Sequence, residues 1–448
     1  MPSTLADWLT YLESLHPKTI ALGLERVAQV RQRLNLDSDF PIITVGGTNG
    51  KGSVCAMLES MLHAAGYRVG CYTSPHLLHY NERVRIAKRQ ASDAELCSSF
   101  EKIEWARKSQ QLDGRSSKLA ESGSFSRLRG NDGLSEIPLT YFEFGTLAAM
   151  QCFIEHKVEV AILEVGLGGR LDAVNAFDSD CAVVTSVDID HIDYLGDTRE
   201  EIAFEKAGIF RAGKVAICAD ADVPHAVRNH AQQIGAKLWC IGSEFGFTPH
   251  QGQWDYRSLV GSRNALPYPA LRGAFQLNNA SAALAALDAL KDKLPVSMDA
   301  VRRGLVEVQL AGRFQFVPGR PTLILDVAHN PHAARSLAQN LAGLPPCPRT
   351  FAVFAMLRDK DMAGVAAALD PHIDTWLVAG IDAPRGAAAG ELAQVLQNTG
   401  VRGDIQAFPD VGEALRYAYN AAGENDRIAA FGSFYTVAEA MAAKGLKF

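Results

Sequence analysis

Two α/β domains, the second the smaller, are what the sequence predicts, and three observations predict them. An apolar stretch at 41–45 runs into a glycine-rich turn and then into a helix-periodic segment, giving a strand-loop-helix-strand unit of the parallel, right-handed kind. A second alternation of short apolar runs and helical segments begins at Thr322. A chain of 448 residues also exceeds one typical core.

The elements follow in order. Ile42-Ile43-Thr44-Val45 reads as a strand. After Gly52, residues Val54, Met57, Leu58, Met61, Leu62 and Ala65 fall at helical spacing until Gly66 ends the helix. A strand is expected at 68–73, and the apolar runs 158–165 and 181–187 continue the alternation, each ending in glycine or acidic residues. Residues 109–136 break the pattern with Ser, Gly, Arg and Asp and read as a flexible surface insertion. Segments 200–209 and 299–308 read as helices, and Gly and Pro then interrupt the pattern near 312–319. In the second domain, strands are expected at 323–327, 351–356, 376–379 and 427–431, with a helix after Pro331. The expected division is 1–311, a linker 312–320, and 321–448, with a cleft between the domains as the place for a multi-substrate site.

Composition narrows the function. Apolar residues make up 48% and charged residues 21%, ordinary values for a globular protein. A formal net charge of -6 argues against a nucleic-acid binder, which wants a basic surface. The eight cysteines contain no C-x-x-C pair, and Cys71 and Cys181 sit in strand-like runs, so reduced, buried thiols in the cytoplasm are expected. The first residues carry no basic leader, and no apolar run approaches the roughly 18 residues of a membrane span, so neither secretion nor a membrane partner is expected.

The turn Thr44-Val45-Gly46-Gly47-Thr48-Asn49-Gly50-Lys51-Gly52-Ser53 carries the chemistry. Glycines let several N–H groups converge on one anion, the following helix adds its positive end, and Lys51 supplies a cation. Its spelling departs from the commonest phosphate loop: Val45 stands where a glycine is usual, and Gly52 separates Lys51 from the Ser53 hydroxyl.

Other polar residues gather at expected strand ends, where ligands of parallel sheets collect. Glu164 ends an apolar strand, either bonded to the neighbouring glycine-rich backbone or binding a metal. The following Gly166-Leu167-Gly168-Gly169-Arg170-Leu171 fails a dinucleotide fingerprint at Leu171. His191 leaves a strand end amid Asp188, Asp190 and Asp193, as a structural histidine or a cation ligand, and Lys206 by itself reads as a surface lysine. Ser74-Pro75-His76-Leu77, leading to Asn81-Glu82-Arg83-Val84-Arg85, is a connection or a site for an anionic substrate and a metal. Asp326 precedes Asn330, a helix cap, and Pro331 at the first turn; it either caps the turn or binds ribose hydroxyls.

Together these stretches resemble the dihydrofolate synthase/folylpolyglutamate synthase enzymes, the folate branch of the Mur-ligase superfamily. The resemblance runs from Trp8-Leu9-Thr10-Tyr11-Leu12-Glu13 and His16-Pro17-Lys18-Thr19-Ile20 to Phe431-Gly432-Ser433-Phe434, with 109–136 outside it. Gly47 to Ser53 looks like that family's variant phosphate loop. The resemblance implies a P-loop-type ATPase domain followed by a smaller Rossmann-like domain. It implies that Thr48, Asn49, Gly50, Lys51, Gly52 and Ser53 hold ATP phosphates and that Asn279, Arg313 and Asp326 contact ATP, with His329 near the terminal phosphate. Ser74, Glu164 and His191 match magnesium ligands. Lys206 matches a lysine that becomes a CO2-derived carbamate and binds a second magnesium. Thr140, Tyr141, Phe142 and Glu143, with Leu171, Asp172 and Ala173, resemble the pterin-side pocket, and Thr19, Ile20 and Ala21 join them.

The implied reaction is ATP-dependent amide ligation in folate biosynthesis, joining L-glutamate to dihydropteroate and to tetrahydrofolates through an acyl phosphate, in a cytoplasmic monomer with no nucleic-acid partner. A folylpolyglutamate synthase alone, a ligase of cell-wall precursors, and a nucleotide-switch or motor ATPase are the alternatives; the last leaves Glu164, His191 and Lys206 unexplained. For the glutamate site, Arg83, Arg85 and Arg385 are candidates.

Overall fold

The computed structural model describes residues 2–18, 20–109 and 136–446. The stretch 109–136, expected as an insertion, lies outside the described residues except at its two ends, and so does Thr19.

The first sheet has eight strands: β1 (Ile42–Gly46), β2 (Val69–Tyr72), β3 (Val84–Ile86), β4 (Arg89–Gln90), β5 (Val160–Glu164), β6 (Cys181–Val184), β7 (Val215–Cys218) and β8 (Lys237–Cys240). Their order is β4-β3-β2-β5-β1-β6-β7-β8. The run from β2 to β8 is parallel, and β3 and β4 add an antiparallel edge. Both faces are buried, which is why these strands read as continuous apolar runs: along β1, Ile42 packs into one core and Ile43 and Val45 into the other. Cys71 and Cys181 are free and buried within this sheet, as expected.

The helix Lys51–Ala64 carries the turn's outgoing chain, and residues 53–62 along it are buried all round. It lies against the sheet on one side and against the helices Gln276–Ala289 and Met298–Glu307 on the others. Gly304 sets the closest approach, since a methyl there would come within 2.5 Å of Met61 Cα. Backbone cannot yield as a side chain can, so Gly304→Val is expected to lower stability by about 3 kcal/mol, read as an earlier urea midpoint; an unchanged midpoint would show that the helices part at no cost.

A three-stranded antiparallel sheet, β9 (Phe245–Pro249), β10 (Gln253–Ser258) and β11 (Ser262–Pro267), was not anticipated from the sequence. It buries Phe245, Trp254 and Tyr256 in the same core as the helix Gln276–Ala289, and Tyr256 and Ser258 donate to the buried Asp288 of that helix at 3.0 and 2.6 Å.

The second large sheet comprises β12 (Gln315–Val317), β13 (Thr322–Asp326), β14 (Thr350–Phe354), β15 (Thr375–Ala379), β16 (Asp404–Phe408) and β17 (Arg427–Phe431), in the order β12-β13-β17-β14-β15-β16. All pairings are parallel except β12 with β13. The segment 312–320, expected as a linker, therefore carries the edge strand β12. No helix among the described residues is long and apolar enough to cross a membrane.

Candidate active site between the two sheets

A cavity of about 670 Å³ opens where the carboxyl ends of β1, β2, β5 and β6 meet the turns after β13, β14 and β17. Residues 47–53 form its floor. Gly47 and Gly50 have φ of 138° and 91°, and a Cβ on them would lie 1.9 Å from Thr185 Oγ1 and 2.6 Å from Asn279 Oδ1, so only glycine fits. The amides of Thr48 and Asn49 are spent inside the protein, donating to Ser186 O (2.7 Å) and Ser186 Oγ (3.2 Å). These two residues pin the turn to the end of β6. The amides of Lys51, Gly52 and Ser53, the first helical turn, have no carbonyl behind them in the helix and are the donors left for an anion.

Lys51 Nζ curls back to Gly47 O and Thr48 O at 3.0 and 3.1 Å. Burial lowers its pKa, against the pull of Glu164 and Asp190. At the irregular Gly52 a Cβ would meet Leu310, the Arg313 guanidinium and Glu164 Oε1 at 3.6, 3.7 and 3.9 Å, ordinary contacts, so no steric demand explains glycine there.

Glu164 is 5% exposed and accepts one backbone bond, from Ser74 N–H at 3.2 Å. The glycine-rich turn does not satisfy it, because the amides of Gly166 and Leu167 go to Asp172 at 3.0 and 2.8 Å. Burial raises its pKa and Lys51 opposes the rise. His191 caps the short helix Ile192–Leu195 in the left-handed region, φ 54°. Burial and Lys360 push its pKa down to about 4, leaving a neutral imidazole with a lone pair to give. Lys360 Nζ stands 3.3 Å from His191 Nε2 and donates to Asp190 Oδ1 at 2.7 Å.

Lys206, in the last turn of the helix Arg199–Ala207, is 4% exposed and faces the same cavity, so the reading as a surface lysine is corrected. Burial lowers its pKa to about 7, aided by Lys51. Among the described residues no three His, Cys, Asp or Glu side chains cluster as a ready-made metal site. Ser74, Glu164 and His191 instead offer single donors around one space. That pattern fits magnesium, which takes most ligands from water and phosphate.

The second sheet closes the other side. Asp326 accepts the amides of Phe314 and Ala328, both at 2.8 Å, so it does cap the turn, while still lining the cavity. Arg313 lies over the Phe434 ring, 5.1 Å from its centroid. His329 Nδ1 donates to Val327 O at 2.8 Å, which leaves Nε2 unprotonated in the neutral ring; burial pushes its pKa down to about 4. Asn330 caps the helix Pro331–Ala342, as the sequence suggested. It also meets Asn49 (3.3 Å) and Asp190 (3.0 Å), joining the phosphate turn to the second sheet. Asn279 lines the cavity, bonded to Gln276 at 3.1 Å.

The residues expected on the pterin side stand one layer back and do not line this cavity. Thr140 and Glu143 form a capping box for the helix Tyr141–Glu155, and Glu143 is paired with Arg26 at 2.7 Å, which also donates to Ala21 O at 2.7 Å. Ile20 and Ala21 are half-buried beside this pair. Leu171 accepts from Gly23 N–H. Asp172 caps the turn Ala173–Ala176, and burial raises its pKa to about 7 against three amide bonds. Phe142 underlies Gly166, where a Cβ would meet its ring at 2.7 Å, and Arg83 lies over Tyr141 at 5.5 Å. Arg85 is corrected as a glutamate candidate: its guanidinium is bound by Glu59 at 2.9 Å and by Thr73 at 3.1 Å. Arg83 and Arg385 do reach the cavity. The sequence reading missed Lys360 and His332, which no local spacing distinguishes from surface residues.

The Mur ligase middle domain matches residues 128–287, and the Mur ligase glutamate ligase domain matches 312–434. The dihydrofolate synthase/folylpolyglutamate synthase of Escherichia coli strain K12 is 43% identical over 98% of this chain and 95% of its own length. The protein of that name from Mycobacterium tuberculosis is 33% identical over 84% of this chain and 77% of its own. Among solved structures, E. coli FolC in complex with DHPP and ADP superposes with a TM-score of 0.89 at 42% identity, covering 99% of both chains. The bifunctional Yersinia pestis enzyme with AMPPNP and Mn ion gives 0.87 at 45% identity, covering 100% of both. Likeness along the whole length, across both sheets and the cavity between them, places this chain in the dihydrofolate synthase/folylpolyglutamate synthase family of Mur ligases.

Proposed function

We propose that the cavity binds ATP and magnesium and joins L-glutamate to the carboxylate of dihydropteroate and of tetrahydrofolates. The observation that carries this is the meeting, on one cavity, of free helix amides and Lys51 at the end of β1 with Asp326, His329 and Arg313 from the second sheet. Relatives solved with ADP and DHPP, and with Mn, AMPPNP and L-glutamate, support the ligand set.

A carboxylate does not react with an amine because its oxygen is a poor leaving group, so activation must come first. A carboxylate oxygen of the acceptor attacks the γ-phosphorus, ADP leaves, and an acyl phosphate forms. Lys51 and the amides of Lys51, Gly52 and Ser53 hold the phosphates and meet the charge that shifts onto the leaving group. Arg313 supplies a further cation and Asn279 faces the nucleotide. Asp326 keeps the 326–329 turn in shape and takes ribose hydroxyls, and His329, which lines the same cavity, would lie near the terminal phosphate. Thr48 and Asn49 act by fixing the turn to the end of β6. Magnesium would be held by Ser74, Glu164 and His191, with a second ion at a carbamate on Lys206, and supplies charge neutralisation of the triphosphate when bound. The unprotonated amine of glutamate then attacks the acyl carbon, phosphate departs with the bonding pair, and the amide nitrogen loses its extra proton. Contacts such as Asn49–Asn330 link the two sheets across the cavity, and their closing around bound substrates would exclude water from the acyl phosphate.

Thr140, Tyr141, Phe142, Glu143, Leu171, Asp172 and Ala173, with Ile20 and Ala21, would act on the pterin from one layer behind the cavity, by supporting the residues that touch it. The protein acts as a cytoplasmic monomer of two domains that meet near residue 312, the segment 312–320 belonging with the second through β12.

Purified protein with dihydropteroate, L-glutamate and magnesium ATP is expected to release one ADP and one phosphate for each dihydrofolate formed. Without glutamate, nucleotide turnover should fall to background. Steady ATP hydrolysis without amide product would refute a ligase. Extension of tetrahydrofolate but not of dihydropteroate would leave a folylpolyglutamate synthase only.

A further inference from the structure

We propose that His76 is a catalytic residue of this ligase, donating a hydrogen bond from Nε2 to the acyl oxygen as it gains negative charge. The inference rests on the ligase reading above and assigns a specific role to a side chain of the loop that leads from Ser74 to Arg85. Its basis is hydrogen-bond accounting. Arg83 Nε donates to His76 Nδ1 at 2.8 Å. A guanidinium carries donors only, so Nδ1 must present a lone pair, and the proton of the ring then resides on Nε2. The tautomer is thereby fixed by a partner that cannot reverse its role.

Arg83 is itself held in place. Its guanidinium carbon lies 5.4 Å from the Tyr80 ring centroid and 5.5 Å from that of Tyr141, and Tyr80 packs against the His76 ring at 6.0 Å. The loop behind His76 is equally fixed: the Glu82 carboxylate gathers the amides of Leu77, Leu78 and His79, each at 2.7 Å. Both His76 and Arg83 line the cavity beside Ser74 and Glu164. A donor oriented by its neighbours before substrate arrives is the kind that stabilises an oxyanion, since little reorganisation remains when charge develops.

The step balances without the histidine exchanging its proton. The glutamate nitrogen lone pair forms the C–N bond, the carbonyl π pair moves onto oxygen, and His76 Nε2–H holds that oxyanion. When the pair returns, the C–O bond to phosphate breaks and phosphate leaves with the electrons. Arg83 is a positioning residue in this scheme, acting through Nδ1.

Two substitutions and one spectrum test this. His76→Phe keeps an aromatic ring and removes the donor; kcat with dihydropteroate should fall about 10²-fold with the KM for ATP unchanged. His76→Gln retains an N–H donor and should recover at least a tenfold part of that loss. In the wild-type protein labelled with 15N-histidine, the neutral His76 ring should carry its proton on Nε2. The proposal fails if His76→Phe keeps kcat within twofold, if His76→Gln is as slow as His76→Phe, or if the ring carries its proton on Nδ1. Absence of dihydrofolate from the wild-type protein would instead refute the ligase reading, so the two failures are distinct.

Discussion

Lys51→Met is expected to lower kcat for ATP-dependent amide formation by about 10³-fold, the size of effect found when a preorganised donor to a developing charge is removed. Methionine keeps the length and apolar stem of lysine and deletes the charge, so the loss reports electrostatics and not packing. Lys51 is half-buried, and its ammonium rests on the carbonyls of Gly47 and Thr48, from which it can transfer to phosphate oxygens. Deleting that charge removes the largest of the influences that oppose the rise in the Glu164 pKa, leaving the Ser74 amide, Arg313 and Arg85, so this carboxyl should titrate higher in the variant. Folding should not suffer, because a desolvated ammonium with a lowered pKa is exchanged for an apolar side chain. Steady-state kinetics with a thermal melt decides the matter: a variant that melts with the wild type yet keeps a tenth of its kcat would refute the assignment of Lys51 to the phosphates, and one that melts early would refute the expectation that folding is spared.

Most of the first sheet was legible because parallel strands buried on both faces must be written as apolar runs, and β1, β5 and β6 are. The helix Pro331–Ala342 was legible through its cap, since Asn330 and Pro331 satisfy terminal amides in a way few residues can. The sheet β9–β11 was not, because its strands bury one face against the helix Gln276–Ala289 and leave the other polar, as Gln253, Asp255 and Arg257 do in β10. β12 was hidden in 312–320 for a related cause: an edge strand of three residues needs no apolar run.

In the site, the phosphate turn could be read locally, since its glycines answer to contacts with Thr185 and Asn279 that no larger residue permits. The split of labour within the turn could not. Only the ladder position of β6 shows that the Thr48 and Asn49 amides are used by Ser186 and that anion binding passes to the helix start. Lys360 and Lys206 illustrate the same limit from the side of charge. Each is a lysine among acidic neighbours in sequence, and only topology buries Lys206 beneath the site and carries Lys360 across from the second sheet to Asp190 and His191.

Lys206→Met separates a functional lysine from a structural one because the two readouts should move in opposite directions. In the folded protein the Lys206 pKa is lowered from 10.5 to about 7, chiefly by burial. The unfolded chain therefore binds more protons than the folded one between about pH 7 and 10.5. Stability attributable to this group rises with pH through that window, and the full penalty of burying an ammonium is felt below it. Methionine removes the penalty, so the variant should melt later than the CO2-depleted wild-type protein at pH 6.5. Activity should do the reverse. A neutral amine can attack CO2, forming an N–C bond and releasing a proton, and the resulting carbamate turns a cation site into an anion able to bind magnesium. About nine-tenths of Lys206 is neutral at pH 8 and about a tenth at pH 6, by the ordinary titration of a group near 7. Wild-type turnover in CO2-depleted buffer should thus climb on adding bicarbonate, more steeply at pH 8, with a carbamate resonance in the 13C spectrum. Lys206→Met should stay about 10²-fold slower and indifferent to bicarbonate. Equal turnover by the two proteins would remove Lys206 from the reaction, and a variant that melts earlier than wild type would show that the buried lysine is held by interactions stronger than its desolvation.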